Sequence, residues 1–463
     1  MSSRIDLSAP GRAFFLGIGG IGMSALARYL KSEGWHVAGY DRTATPLTNA
    51  LVDEGIAVSH DPTPGAFPSG WNAAEVLCVY TPAVPMDLAL RMHLEASGTL
   101  HKRSALLGAI TRNHPTLAVA GTHGKTTTTT LLAHLLADRC NAFLGGLAAA
   151  TGSNLHLTPE AAWTVVEADE FDRSFLHLHP THAAVTSLDL DHLDIYGDAE
   201  QFIAGFQSFT DQIQRTLLLH HALTGRLHPP VQVTTYGIDA GALRATHVER
   251  HGAQTRFTLV RPDGPEVPNL VLPMPGLHNL ENAVAACGLA LQAGLEPTEL
   301  RARLASFQGV HRRFQYHLRG PETVYIDDYA HHPEELRCAL EAARSAHPGK
   351  PLTGIFQPHL FSRTRDHLDG FAQVLSTLDA LVLMPIYPAR EAPIPGVDSQ
   401  SLFDKISGPV KELAPAEQIF DCLKGMPRDV VLTLGAGDID RLVNPLTQWL
   451  LNASGKPSTD TNA

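Results

Sequence analysis

AVAGTHGKTTTTTLLAHLL (Ala118–Leu136) opens on small and β-branched residues, passes through two glycines and a lysine, and ends in an apolar run with helical spacing. It reads as a strand, a loop and the start of a helix. Such a junction aims backbone N–H groups and a helix N-terminus at an anion. The common phosphate-loop spacing is G-x-x-x-x-G-K-[ST]. Gly124, Lys125 and Thr126 satisfy its end, but Val119 stands where the first glycine belongs and Gly121 supplies one later. The loop is therefore expected to hold a nucleoside triphosphate in a variant arrangement. Lys125 would neutralise the β- and γ-phosphates, and the Thr126 hydroxyl would sit on Mg²⁺. Thr127 to Thr130 are less specific, and some are expected to satisfy N–H groups at the helix start.

A nucleotide site also needs carboxylates at neighbouring strand ends. WTVVEADEFD (Trp163–Asp172) places Glu167, Asp169, Glu170 and Asp172 after an apolar run. SLDLDHLD (Ser187–Asp194) places Asp189, Asp191, His192 and Asp194 after another. Hard cations that bridge phosphates take oxygen ligands, and a His can join them. Acidic helix caps are the plainer reading of Asp172 and Asp194. One metal-binding residue from each cluster is the stronger reading, and it suits metal-assisted phosphoryl transfer.

A second glycine-rich loop lies near the start of the chain. Gly17, Gly19 and Gly22, with Gly20 between them, satisfy G-x-G-x-x-G after the strand AFFLGIG and before a helical pattern. Asp41 closes the next strand, HVAGYD, as a dinucleotide fingerprint asks. The fingerprint reports a diphosphate at a helix N-terminus and leaves the base open, so a nicotinamide dehydrogenase competes with other nucleotide readings. Further along, PGLHNLENA contributes Asn279 and Asn282, HRRF contributes Arg312 and Arg313, and DDYAHHP contributes Asp327, Asp328, Tyr329, His331 and His332. Each is a weak signal alone.

Composition sets the frame. The 463 residues are too many for one core, and 44% hydrophobic with 18% charged residues is ordinary globular usage. A net charge of −12 without a basic run argues against a nucleic-acid partner. The five cysteines (Cys78, Cys140, Cys287, Cys338 and Cys422) have no metal spacing and suit a reducing, cytoplasmic location. RAFFLGIGGIGMSALA could pass for a signal peptide, but its glycines break the apolar core and a βαβ pattern follows. No membrane partner is expected, because no apolar segment is long enough to span a bilayer. Nothing in the sequence specifies an oligomeric state.

Strands and helical patterns alternate in three sections, which predicts a three-domain α/β chain. The stretch from VQVTTYGI to NLVLPMPG looks like an antiparallel subsheet of the middle section. The tail NASGKPSTDTNA is polar and expected to be disordered.

Together the motifs resemble the Mur ligase family, the ATP-dependent amide-forming enzymes of peptidoglycan precursor synthesis. They run in order along nearly the whole chain: GIGGIGMS, GTHGKTTT, EADEFDRSF, DHLDIYGD, PGLHNLENA, FQGVHRRF, DDYAHHPEE, FQPHLFSRTRD, YPAREAPIPGVDS and LGAGDID. The resemblance is greatest to the branch that adds L-alanine to UDP-N-acetylmuramate through an acyl phosphate. It implies a Rossmann-like N-terminal domain over 1–111 that holds the UDP-sugar through Gly17, Gly19, Gly20, Gly22 and Asp41. It implies a P-loop-type central ATPase domain over 112–316 and a Rossmann-like C-terminal domain over 317–463. Gly121, Thr122, His123, Gly124, Lys125, Thr126 and Thr127 would then bind ATP. Asn279, Asn282, Arg313 and Asp328 would join them. Lys125, Glu167, His192 and Arg313 would be catalytic. Thr126, Glu167 and His192 would hold Mg²⁺ (or Mn²⁺). Tyr329, His359 and Arg363 would meet the amino acid, with Arg363 gripping its carboxylate.

Two departures stand out. Several members use a carbamylated lysine at a second metal, but no Lys occurs between Lys125 and Lys350. The alanine-adding branch is similar in lacking it. The family often reads FQPHR, whereas Leu360 follows His359 here. The runner-up within the family is the recycling enzyme that adds a tripeptide. Outside it stand the dehydrogenase, which leaves GTHGKTT without a job, and a non-catalytic nucleotide sensor.

Overall fold

The computed structural model of the protein describes residues 5–96, 100–190, 193–389 and 391–453. The chain divides into two compact units. One comprises Met1–Thr246, Thr258–Leu270 and Glu281–Gln308, the other His247–Phe257, Val271–Leu280 and Gly309–Ala463.

The chain begins with β1 (Arg12–Leu16), β2 (His36–Tyr40), β3 (Ala57–Ser59), β4 (Leu77–Tyr80) and β5 (Leu100–Lys102). They form one sheet in the order β3-β2-β1-β4-β5, parallel throughout. Phe14, Phe15 and Leu16 of β1 are fully buried, as a strand covered on both faces requires. β2 lies on one side of β1 and β4 on the other. The strand order therefore reverses at β1, where open α/β sheets bind ligands. The glycine-rich loop stands there, before helix Ile21–Ser32.

The central sheet contains β6 (Thr116–Ala120), β7 (Cys140–Phe143), β8 (Leu155–His156), β9 (Trp163–Ala168), β10 (His182–Val185) and β11 (Thr216–His220). It continues through β12 (Gln232–Ile238), β13 (Leu243–His251), β14 (Gln254–Val260) and β15 (Val267–Leu272). Their order is β15-β14-β13-β12-β11-β10-β6-β9-β7-β8. β6 is buried along its length and runs parallel to β9 and β10. The carboxyl ends of these strands therefore open on one edge of the sheet. Beyond it, β12 pairs in parallel with β11 and with β13, a correction to the antiparallel start read from sequence. Asp239 and Gly241, in the short connection between β12 and β13, have left-handed backbone.

The last sheet is built from β16 (Gln315–Arg319), β17 (Val324–Asp328), β18 (Leu352–Phe356), β19 (Ala380–Leu383), β20 (Val410–Leu413) and β21 (Val430–Leu434). The order is β16-β17-β21-β18-β19-β20. β16 alone is antiparallel, an edge strand on an otherwise parallel sheet. Helix Arg103–Asn113 runs across residue 111 and β16 runs across residue 316. No helix among the described residues is long and apolar enough to cross a membrane.

Candidate active site

The loop after β6 is fixed by two glycines that no other residue replaces. Gly121 and Gly124 have φ of +129° and +80°, conformations that favour glycine. A Cβ on Gly124 would collide with the Asn282 side chain, and one on Gly121 with Thr186. The end of β10 braces the loop from the side. Thr122 Oγ1 donates to the Asp189 carbonyl at 2.7 Å and the His123 N–H donates to Ser187 Oγ at 2.8 Å. The Thr186 hydroxyl donates to the His123 carbonyl, and His123 Nε2 lies 3.4 Å from Asp189 Oδ2.

Helix Lys125–Leu135 begins after Gly124 with no side-chain cap bond. This corrects the reading that some of the threonines satisfy its first N–H groups. The N-cap position falls on Gly124, which has no side chain to offer, whereas Thr127 to Thr130 lie inside the helix. Thr128, Thr129 and Thr130 are buried, with hydroxyls that find no hydrogen-bond partner among the described residues.

Lys125 folds back over its own loop. Its Nζ donates to Gly121 O at 2.7 Å, Thr122 O at 3.3 Å and Glu170 Oε1 at 2.9 Å. Burial pulls the Lys125 pKa down, but the carboxylates of Glu170, Asp169 and Glu167 outweigh it and leave it raised. Burial also pushes the Glu170 carboxyl up, to about 7, with Asp169 adding to the effect and Lys125 opposing it. The next residue, Thr126, donates from Oγ1 to Glu167 Oε1 at 3.1 Å. Glu167 lies opposite Val119 in the β6–β9 register. Gly145 makes room for it, since a Cβ there would run into the Glu167 carboxylate.

The hydroxyl and carboxylate of Thr126 and Glu167 are hard oxygen donors of the kind Mg²⁺ takes, so these residues fit the cation. His192 and Asp191 lie outside the described residues. Among the described residues no three His, Cys, Asp or Glu side chains gather at one metal position. Asp169 and Asp172 have cationic partners, with Arg103 at 3.6 Å and Lys102 at 3.0 Å.

At the first loop, the Gly17 N–H donates to Tyr40 O at 2.7 Å and the Gly19 N–H to Asp41 Oδ2 at 2.8 Å. Asp41 thus orders the loop that the sequence paired it with. Gly20 is the N-cap of helix Ile21–Ser32, again without a side-chain cap bond. A Cβ on Gly22 would meet the Arg103 guanidinium, which lies against it. Arg103 gave no sequence signal, since nothing in its local run marks it. Fully buried Asn154 donates to Ile21 O and to Ser24 Oγ, and accepts from Arg28 Nη1 at 2.8 Å.

In the other unit, Arg312 Nε lies 3.1 Å from Asp327 Oδ2 and its Nη2 donates to Gly435 O at 2.6 Å. The Tyr329 ring faces the guanidinium groups of Arg312 and Arg313, 5.3 and 5.0 Å from its centre. Asp328 accepts from Phe314 N at 2.7 Å and Ala330 N at 2.8 Å. Burial pushes its carboxyl up to about 6, against the pull of Arg313 and these two N–H groups.

Tyr329, His331, His359 and Tyr387 form a chain of ring contacts 5.2, 6.0 and 5.8 Å apart. His331 therefore joins Tyr329 to His359, a role the sequence reading left unassigned. His359 Nδ1 lies 3.4 Å from Arg363 Nη1. Leu360 between them has φ +70°, a strained value for a bulky residue. Asn279 Nδ2 donates to Pro275 O at 2.8 Å and so ties down the entry to helix Leu277–Gln292.

Three family models match the chain: Mur ligase family, catalytic domain, over residues 13–114; Mur ligase middle domain over 119–290; and Mur ligase, glutamate ligase domain over 312–437. A UDP-N-acetylmuramate–L-alanine ligase from Porphyromonas gingivalis is 47% identical, over 95% of this chain and 99% of the relative. Among solved structures, a UDP-N-acetylmuramate-alanine ligase from Thermotoga maritima matches with TM-score 0.80 and 26% identity, over 96% of this chain and all (100%) of the other. A murein peptide ligase from Psychrobacter arcticus matches with TM-score 0.70 and 21% identity, over 97% and 100% of the two chains.

Proposed function

The chain belongs to the Mur ligase family, and from that membership we propose that it joins L-alanine to UDP-N-acetylmuramate with ATP, by way of an acyl phosphate. The carrying observation is the end-to-end similarity, at 47% identity, to an enzyme named for that reaction. The tripeptide-adding reading has a fold likeness at 21% identity behind it and is the weaker one. The substrates are cytoplasmic metabolites, which supports a cytoplasmic location.

A muramoyl carboxylate is a poor electrophile. Its oxygen attacks the γ-phosphorus of ATP, the bond to the β-phosphate oxygen breaks, and ADP leaves an acyl phosphate. The alanine amine attacks the acyl carbon, inorganic phosphate departs from the tetrahedral intermediate, and the nitrogen gives up a proton. Lys125 and the uncapped helix N-terminus hold the β- and γ-phosphates. Thr126 and Glu167 would hold Mg²⁺ (or Mn²⁺), with His192 as a third ligand, and the metal would supply positive charge against the phosphate oxygens. Arg313 meets charge on the transferring phosphoryl group. Asn282, Asn279 and Asp328 support the adenosine side, with Gly121, Thr122, His123, Gly124 and Thr127 shaping the phosphate loop. Arg363, beside His359 and Tyr329, takes the alanine carboxylate bidentately. Gly17, Gly19, Gly20, Gly22 and Asp41 present the first helix N-terminus to the UDP diphosphate.

Phosphate release from ATP, Mg²⁺ and UDP-N-acetylmuramate tests the reading. Dependence on free L-alanine supports it. Release only with L-Ala-γ-D-Glu-diaminopimelate transfers the chain to the recycling reaction, and release with neither amine removes the ligase reading.

A further inference from the structure

Glu170 shares an acidic run with Glu167, yet no step above uses it. It is only 1% exposed, and its two carboxylate oxygens lie 2.9 and 2.8 Å from Lys125 Nζ. A lysine ammonium carries three N–H donors. Gly121 O, Thr122 O and Glu170 take all of them. Two of these acceptors belong to the loop itself. The third is mounted beyond the end of β9, on a backbone that is pinned in turn: the Tyr196 hydroxyl donates to Glu170 O at 2.8 Å and the Arg173 N–H donates to the same oxygen at 3.0 Å. An enclosed ammonium without a counter-charge is strongly disfavoured, so a partner at this place governs where Lys125 points. A phosphate oxygen that reaches Lys125 must replace one of the three acceptors, and only Glu170 can be exchanged without dismantling the loop.

We propose that Glu170 is the positioning residue of Lys125: it holds the ammonium over the phosphate loop as a buried ion pair and yields that donor when a nucleoside triphosphate enters. The inference rests on the ATP-dependent reading above and adds a residue to it. Glu170 touches no reacting atom and acts through the lysine.

A double-mutant cycle on the full-length protein tests this, with Glu170→Gln, Glu170→Asp, Lys125→Met and the pair K125M/E170Q. Steady-state rates, thermal unfolding and titration with a fluorescent ATP analogue are measured for each. Glu170→Gln is expected to lower kcat about 10- to 100-fold and to raise the KM for ATP. The KM values for UDP-N-acetylmuramate and L-alanine should stay within about twofold, since their sites are untouched. Glu170→Asp, which keeps the charge on a shorter arm, should recover part of the loss. The double variant should be no slower than Lys125→Met alone, because groups that act through one another are not additive. Wild-type kcat and ATP KM in Glu170→Gln would overturn the proposal, as would losses that multiply in the double variant. If Glu170→Gln fails to fold, the same cycle is read with Glu170→Asp. A wild-type protein inactive with alanine would instead count against the ligase reading. The coupling between Lys125 and Glu170 would still be read from affinity for the ATP analogue.

Discussion

The phosphate loop and the first glycine-rich loop share a scaffold and differ in where their charges stand. Both follow a buried parallel strand, both contain glycine at positive φ (Gly17 in the first, Gly121 and Gly124 in the second), and neither helix start carries a side-chain cap bond. In the first loop the carboxylate, Asp41, accepts from the loop's own N–H, and the nearby cation, Arg103, arrives from a distant helix start. In the second the cation, Lys125, is part of the loop, and the carboxylates of Glu167 and Glu170 come from the neighbouring strand end. A bare helix N-terminus recognises an anion. Chemistry on that anion needs a cation built into the turn and carboxylates placed to hold it and a metal.

Exchanging or removing those charges breaks the contrast by graded amounts. Lys125→Met should be the most severe, lowering kcat about 10³-fold or more, of the order of 4 kcal/mol in transition-state stabilisation, measured by phosphate release. Glu167→Gln should lower kcat about 10²-fold and raise the Mg²⁺ concentration needed for half-maximal rate; an unchanged Mg²⁺ dependence would remove Glu167 from the metal. Gly145→Ala, which drives a methyl into Glu167, should lower kcat about tenfold with the same Mg²⁺ signature.

At the first loop the effects should be on binding alone. Asp41→Asn weakens the acceptor of the Gly19 N–H and should raise the KM for UDP-N-acetylmuramate about fivefold, leaving the KM for ATP unchanged.

The smallest effect belongs to the clasp behind the phosphate-loop helix. Arg303 lies 2.5 Å from Asp138 and 2.7 Å from Glu299, and its hydrogen bond holds the Asp138 carboxyl well below the usual range. A depressed carboxylate pKa adds stability above the unfolded value of about 3.9 and loses it as pH falls toward the folded one. Asp138 is over half exposed, at 56% of its side chain, so solvent screens the gain. Arg303→Ala should lower Tm by about 1–2 °C at pH 7 and by a smaller amount near pH 2, where part of that contribution is already lost. An equal loss at both pH values would assign the effect to packing.

The two loops were legible because their chemistry is local. Strand, glycines, lysine and helix sit within one short run, and β6 and β1 lie where the apolar patterns place them. Glu167 was legible as a carboxylate after an apolar strand. Which of its neighbours does what was not: Asp169 and Asp172 face Arg103, which starts a helix, and Lys102, which ends β5, partners tens of residues away. Arg103, Gly145 and Asn154 were missed for that reason, since each matters through what it meets and not through its own run. His331 stood in a quoted motif, but its part in joining Tyr329 to His359 depends on ring geometry. The threonine run misled because its composition suggested capping, while its register places Thr128, Thr129 and Thr130 in the interior.

Gly145 bears on how a small-molecule inhibitor of this protein could be evaded. A group bound against its bare backbone and the Glu167 carboxylate would touch a surface where an added Cβ meets that carboxylate. The simplest resistance mutation, enlarging the residue the drug leans on, would displace the carboxylate that we propose holds the metal. At that position escape and a slower reaction would arrive together.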